Sequence, residues 1–395
     1  MLTIIRRSIN ILSRLIYRYS FGLTLKLADF LMPKDKHLVV FGSSLGRLLC
    51  GNSQALFDYV TNHPCGLRAY YYLRHRPGGV QDHRCVFGLS WRAIYILLRA
   101  RTFVSTHGID DFFPFMCSRR TLVVNTWHGL PLKTMLFTDK NLSRAGKHFA
   151  AHLLKRDDVF VTPSRLAAWL FSSCFGTDPS KFFLCGQPRN DILFAKEQES
   201  QLRKLLPRTK LFKRVVLYCP TYRGFSRVRL FPFDDFDSKV LDAFLHQHNA
   251  GMLVRLHIND IQDDVDLFSD RVLDFGFKVG SDVNHVLSEV DVLITDYSSI
   301  YMDFLLTDKP IVFLPYDLEE YKKKRGLMFD DYDFWTPGLK PQTFHDFLQS
   351  LEQAFSHPEE GKQQRQTVNS LLNYYEKGVS CERVIDMIKE LVGVA

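Results

Sequence analysis

The strongest constraint on this chain is a strand–helix rhythm that runs twice. After Pro33, HLVVFGS (37–43) reads as a strand and NSQALFDYVTNH (52–63) as a helix with a polar start. LRAYYYLR (67–74), WRAIYILLRA (91–100) and TFVSTHG (102–108) continue as strand, helix and strand, followed by TLVVNTWHG (121–129), DVFVTPS (158–164) and KFFLCGQPRND (181–191). A polar stretch, AKEQESQLRKLLPRTKLFKR (195–214), reads as a helix plus linker. The alternation then restarts with VVLYCPTYRG (215–224), a helix near 237–248, MLVRLHIND (252–260), RVLDFG (271–276), DVLITDYSS (291–299) and PIVFLPYD (310–317), and amphipathic helices follow from 342. Successive strands separated by helices must pair in parallel, so each run specifies a doubly wound sheet. The predicted architecture is α/β: a segment 1–35, a Rossmann-like lobe over 36–205, and a second over 206–395 that includes the terminal helices. At 395 residues there is enough chain for two cores. Two such lobes face each other across a cleft and take ligands at the carboxyl ends of their strands.

Charge narrows the partner. Lys and Arg number 51 against 43 Asp and Glu, a net charge of +8, which favours an anion: a phosphorylated substrate, nucleic acid or an acidic membrane. The eight cysteines form no C-x-x-C pair and several sit in apolar runs, as expected of reduced thiols in a cytoplasmic protein rather than of disulfides or a zinc site. No uncharged apolar run is long enough to cross a membrane. The N-terminus, MLTIIRRSINILSRLIYRYSFGLTLKLADFLMPK, mixes apolar residues with Arg6, Arg7, Arg14, Arg18 and Lys26. It suits a basic amphipathic helix lying on an anionic membrane, and equally a first helix packed on its own domain. Motifs of the types G-x-x-x-x-G-K-[ST], G-x-S-x-G and H-E-x-x-H are absent, and GSSLGR (42–47) lacks dinucleotide-binding spacing.

Polar clusters fall where strands end. Trp127, His128 and Gly129, then Lys133, follow one strand; an imidazole there suits a general base, though a lone histidine is more often structural. Thr221, Tyr222 and Arg223 end another, and Arg255 and His257 a third, projecting to one face by strand alternation. Each alone reads equally as a surface salt bridge; together they suggest an anion site. Ser298 and Ser299 stand where a helix begins, so one serine suffices as a cap and the second is in excess. Residues 316–338 read as a long polar and aromatic loop whose Tyr316, Asp317, Arg325 and Gly326 can fold over a ligand, and equally as a solvated surface segment with a charge run.

Taken in order, GNSQALFDYV, NTWHGLPLK, CGQPRNDIL, PTYRG, RLH, DVLITDYSSIYMDFLLTDKPIVFLPYDLEEY and RG with a later PG resemble the CDP-glycerol glycerophosphotransferase family of teichoic-acid primases and polymerases, over about residues 38–340. The resemblance implies a GT-B-type fold, with the CDP-linked donor on the C-terminal lobe and the acceptor on the N-terminal one. It implies His128 as general base, His257 as a second catalytic histidine, and Arg255, Arg223, Thr221, Ser298 and Ser299 against the donor diphosphate. Trp127, Gly129, Lys133, Asp296, Asp303, Tyr316, Asp317 and Arg325 are carried as pocket residues, and Pro310 also matches. Leu130 replaces a small hydroxyl residue usual after the HG glycine, and Tyr222 a usual tryptophan, which puts the acceptor pocket's shape in question. The implied reaction moves an alditol phosphate from CDP-glycerol or another CDP-alditol to a lipid-linked or growing glycan acceptor at the inner membrane face, with release of CMP. No tightly bound cofactor or metal is expected, and a Mg²⁺ arriving loosely with the diphosphate is compatible. A nucleotide-sugar glycosyltransferase of the same fold is the main alternative. A basic nucleic-acid-binding protein fits less well, because the informative residues sit at strand ends rather than along a stacking face.

Overall fold

A computed structural model describes residues 20–77, 82–112, 117–195, 199–257, 268–276, 279–280 and 282–395. Residues 20–31 form helix α1. The first lobe continues with β1 (Asp35–Phe41), α2 (Gly51–Asn62), β2 (Arg68–Leu73), β3 (Cys85–Phe87), α3 (Trp91–Arg99), β4 (Ala100–Ser105), β5 (Leu122–Asn125), α4 (Arg144–Leu154), β6 (Val159–Thr162), α5 (Arg165–Phe175) and β7 (Phe182–Leu184). The second comprises α6 (Gln201–Leu205), β8 (Arg214–Tyr218), α7 (Ser238–Gln247), β9 (Ala250–Val254), β10 (Val272–Asp274), β11 (Val292–Thr295), α8 (Ile300–Phe304) and β12 (Ile311–Phe313). It ends in α9 (Leu318–Lys324), α10 (Tyr332–Trp335), α11 (Phe344–Ser356), α12 (Lys362–Leu372) and α13 (Ser380–Val392).

The first sheet is ordered β3-β2-β1-β4-β5-β6-β7 and the second β10-β9-β8-β11-β12. Every strand pairing in both is parallel. Parallel strands covered on both faces are apolar throughout; β9, AGMLV, is buried at every position, as is β11, VLIT. Order reverses between β1 and β4 in the first sheet and between β8 and β11 in the second. Crossovers leave such a point toward opposite faces, which opens a crevice at the strands' carboxyl ends.

Alternation decides which core each residue joins. Val39, Phe41, Tyr71 and Val104 pack under α2, whereas Val40, Tyr72 and Phe103 pack under α3 and α1. A third apolar cluster crosses between lobes, joining Phe160, Phe171 and Phe175 to Leu217, Leu253, Leu293 and Tyr301. The helices start at identifiable caps: Ser90 Oγ accepts from the Ala93 amide, and Ser164 Oγ from that of Ala167.

Two expectations change. Residues 206–395 do not all serve the second lobe, because α13 returns and buries Val384, Ile385 and Ile388 in the first lobe's core. An amphipathic stripe fixes which helix face is buried, not which sheet receives it. The segment 316–338 is not a loop, for it holds α9 and α10. In α9 the acids come first and the lysines last, with Glu320–Lys324 at 2.6 Å and Glu319–Lys322 at 3.3 Å, an order that suits the helix dipole.

Helix α1 packs through Phe21, Leu25 and Ala28, with Met32 just past its end, while Leu23, Leu27, Phe30 and Leu31 face outward. The rest of the expected N-terminal helix, 1–19, lies outside the described residues. Among the described residues no helix is long and apolar enough to cross a membrane. All eight cysteines are free, six of them buried.

Candidate active site

The two crevices meet in one cavity of about 720 Å³. His128, Lys133 and Arg189 line it from the first lobe, and Thr221, Arg255, His257, Ser298, Ser299 and Arg325 from the second.

On the first lobe, β5 ends in a turn held by amides. Asn125 Oδ1 accepts the Trp127 amide at 2.9 Å and Asn125 Nδ2 donates to Asp157 at 2.8 Å. Asn52, wholly buried on α2, donates to the carbonyls of Thr126 and Trp127 at 3.0 and 3.2 Å. These contacts fix Trp127 at φ +53°, a conformation that an L side chain keeps only when its surroundings impose it. Trp127 itself packs on Phe175 rather than lining the cavity.

His128 is thereby aimed into the cleft. Its Nδ1 lies 3.2 Å from the Thr106 carbonyl. A carbonyl only accepts, so Nδ1 carries the proton and Nε2 keeps its lone pair. The ring packs against both His107 at 4.2 Å and Trp127 at 4.4 Å, whose own centroids are 6.2 Å apart. Desolvation, and then repulsion from His107, lower its pKa to about 3. His128 is nonetheless exposed on the cleft, which offsets part of that desolvation; the imidazole is neutral at pH 7 either way. Gly129, at φ +154°, lets the second lobe approach, since a Cβ there would lie 2.8 Å from Ser299 Oγ.

On the second lobe, Arg223 departs from expectation. It borders the cavity, but its side chain is fully buried and its donors are committed. Nε and Nη2 donate to Asp317 at 2.8 and 3.1 Å, and Nη1 donates to Asp296 at 2.8 Å and to the Thr221 carbonyl at 2.5 Å. The rings of Tyr297 and Tyr316 each lie 5.0 Å from its guanidinium. Burial alone would lower its pKa, but Asp296 and Asp317 outweigh it and raise it. Arg223 therefore braces the loop instead of offering a fork to phosphate; Asp296 and Asp317 hold it behind the cavity wall, and Tyr316, 40% exposed, covers it from outside the cavity.

Arg255 and His257 both reach the cavity. Arg255 Nη1 donates to the carbonyls of Phe275 and Gly280 at 3.1 and 2.8 Å, and desolvation lowers its pKa. His257 stacks on Tyr222 at 5.1 Å. Thr221 is buried, and its Oγ1 has no hydrogen-bond partner among the described residues. The expected long helix behind the serines is short: α8 has five residues before a tighter turn, so little dipole reaches the cavity. Ser299 takes the N-cap position without capping through its side chain, and Ser298 Oγ meets the Ile300 amide only at 3.5 Å. Both serines line the cavity.

Lys133 bridges to Leu327 across the lobes, and desolvation lowers its pKa to about 8 against the opposing pull of Asp296. Arg325 pairs with Asp139 at 3.6 Å, and its carbonyl accepts from Thr134 at 2.6 Å. Gly326, at φ +78°, permits this seam, for a Cβ there would meet Thr134 Oγ1 at 2.6 Å. Leu130, which replaces the usual hydroxyl residue, is buried in the core shared by the lobes.

Sequence reasoning missed a buried strut. Arg189 donates to Asp303 at 2.8 Å, and Asn190 to Asp303 at 3.0 Å and to Glu376 at 3.1 Å. Asn284 donates to Asn190 Oδ1 at 2.9 Å. Burial raises the Glu376 carboxyl to about 8, against its bonds from Gln187 and Asn190. Asp303 thus ties the lobes together, and the cavity's two carboxylates, Asp139 and Asp303, are both paired with arginines. The available signal was two adjacent polar residues, Arg189 and Asn190, just beyond a strand. Among the described residues, a separate group of Asp242, His246 and Asp270 brings ligand atoms within metal-binding reach, and none of them lines the cavity.

The sequence model of the family described as CDP-Glycerol:Poly(glycerophosphate) glycerophosphotransferase matches residues 24–390. A teichoic acid poly(glycerol phosphate) polymerase of Bacillus spizizenii is 24% identical over 383 residues, covering 92% of this chain and 94% of that protein. One of the same name from Bacillus subtilis is 25% identical over 378 residues, 90% of this chain, which spans about half of it (49%). The solved structure of the wall teichoic acid polymerase TagF superposes with a TM-score of 0.76 at 20% identity, covering 100% of this chain and 98% of that one. The fold is the GT-B-type pair of Rossmann-like lobes.

Proposed function

Because the chain belongs to the CDP-glycerol:poly(glycerophosphate) glycerophosphotransferase family, we propose that its cavity transfers an alditol phosphate from a CDP-alditol to a hydroxyl of a lipid-linked or growing polyol-phosphate acceptor. The donor is CDP-glycerol and the product a teichoic-acid-type or capsule polymer.

The observation that carries this reading is the unprotonated Nε2 of a neutral His128 across the cavity from Arg255 and His257. The acceptor oxygen bonds to the donor's distal phosphorus as the bond from that phosphorus to the bridging oxygen breaks. The hydroxyl proton passes to His128 Nε2, and CMP leaves with the electron pair. Arg255, His257, Lys133, Thr221, Ser298 and Ser299 offset charge on the phosphoryl oxygens, while Arg223 holds the loop that carries Thr221. No resident cofactor is invoked, and a Mg²⁺ arriving with the donor would be held by phosphate oxygens and water.

The acceptor is drawn from the inner face of the cell membrane. Leu23, Leu27, Phe30 and Leu31 of α1, which follow the basic N-terminal residues in sequence, support contact with an anionic surface. The reading assigns no role to nucleic acid.

Purified protein is tested with CDP-glycerol, CDP-ribitol and nucleotide sugars, each with a short synthetic acceptor, following CMP release and product mass. Turnover confined to CDP-alditols and abolished in His128→Ala supports the reading. Preferred turnover of a nucleotide sugar, or full activity in both His128→Ala and His257→Ala, overturns it.

A further inference from the structure

A second cavity, of about 390 Å³, lies against the first where the lobes meet. Asn141 and Arg325 line both. Lys140 enters the second from the first lobe, and Lys322 and Lys323 from α9 of the second lobe. Of its four cations Arg325 pairs with Asp139 at 3.6 Å and Lys322 with Glu319 at 3.3 Å, which leaves Lys140 and Lys323 facing one lining carboxylate, Asp330. Lysines that end α9 are partly explained by the helix dipole and by the Glu319–Lys322 pair. That explanation does not reach Lys140, which comes from another lobe. Lys140 and Lys323 have no ion-pair partner among the described residues. Like charges brought together from two lobes repel unless an anion lies between them.

We propose that this cavity holds the phosphodiester backbone of the acceptor chain while its terminal hydroxyl sits at His128. The inference rests on the transfer reaction above and names the acceptor as a multi-unit polyanion. The segment after His128 supplies the path, running through Lys133 at the first cavity to Thr134, Lys140 and Asn141 at the second. A polyol phosphate carries one negative charge per unit with little apolar surface, which suits a wall of lysines. A nucleic acid would need exposed rings to stack on, and the cavity's one ring, Phe329, is 9% exposed.

The test is direct binding of synthetic glycerol phosphate oligomers of one and of six units, beside an oligonucleotide of matching charge. Wild type is compared with Lys140→Ala/Lys322→Ala/Lys323→Ala, whose folding is checked by thermal melting. Wild type is expected to prefer the longer oligomer, and that preference to fall about eightfold in the variant, roughly twofold for each exposed charge contact. Equal binding of both lengths by wild type, an unchanged preference in the variant, or equally tight binding of the oligonucleotide overturns the inference. The measurement needs no CDP-alditol, so it stands apart from the catalytic reading: absent turnover refutes that reading, and absent length preference refutes this one.

Discussion

The turn Asn125–His128 in the first lobe and the turn Pro220–Arg223 in its counterpart are built alike and end differently. Each follows a parallel strand and each carries a basic residue that borders the cavity. Among the described residues His128 bonds to a carbonyl and packs on two rings, with no carboxylate paired to it, so it stays neutral with one nitrogen available. Arg223 meets Asp296 and Asp317, which saturate it. A basic residue at a strand end is therefore a reagent or a brace according to whether neighbouring strands present carbonyls or carboxylates.

The largest expected effect falls on the brace. Arg223→Ala leaves two buried carboxylates uncompensated and should lower unfolding stability by about 3–5 kcal/mol, read by chemical denaturation. A well-folded Arg223→Ala that instead loses donor affinity would make the two turns equivalent. His128→Ala should reduce transfer by about three orders of magnitude with little change in melting temperature, read by CMP release and thermal scans. Arg255→Ala should weaken CDP-glycerol binding about tenfold by calorimetry, because it removes a charged hydrogen-bond donor that faces the cavity.

Smaller effects separate the groups by pH. Because the His128 pKa is lowered toward about 3, its imidazole should show no titration between pH 5.5 and 7.5 by NMR; a midpoint near 6.5 would show an unshifted base. Only the unfolded chain takes up a proton there below 6.5, so stability is full above 6.5 and falls as the pH drops toward 3. Glu376 acts in the opposite sense. Its folded pKa is raised from 4.5 to about 8, so its contribution is full below 4.5 and is lost as pH rises through 8. Glu376→Gln should remove that slope, seen as a smaller stability difference between pH 6 and pH 9 than in wild type.

Much of the site was legible because its residues cluster at strand ends. His128, Lys133, Thr221, Arg255, His257, Ser298, Ser299 and Arg325 all reach one cavity. Trp127, Asp296, Asp317 and Tyr316 share those motifs yet do not line the cavity, because motif spacing gives position along the chain and not the direction of a side chain. Arg189, Asn190, Asn284 and Glu376 went unread because each acquires meaning only from partners far away in sequence.

Local periodicity determined the two parallel sheets, for alternating strand and helix patterns admit few connections once crossovers are required. It also set which residues crowd the carboxyl ends of the strands. Tertiary structure alone decided that α13 completes the first lobe, that Arg223 is neutralised by two carboxylates, and that lysines from both lobes share one cavity. Those outcomes depend on residues far apart in the chain, where burial and pairing, rather than pattern, set each charge.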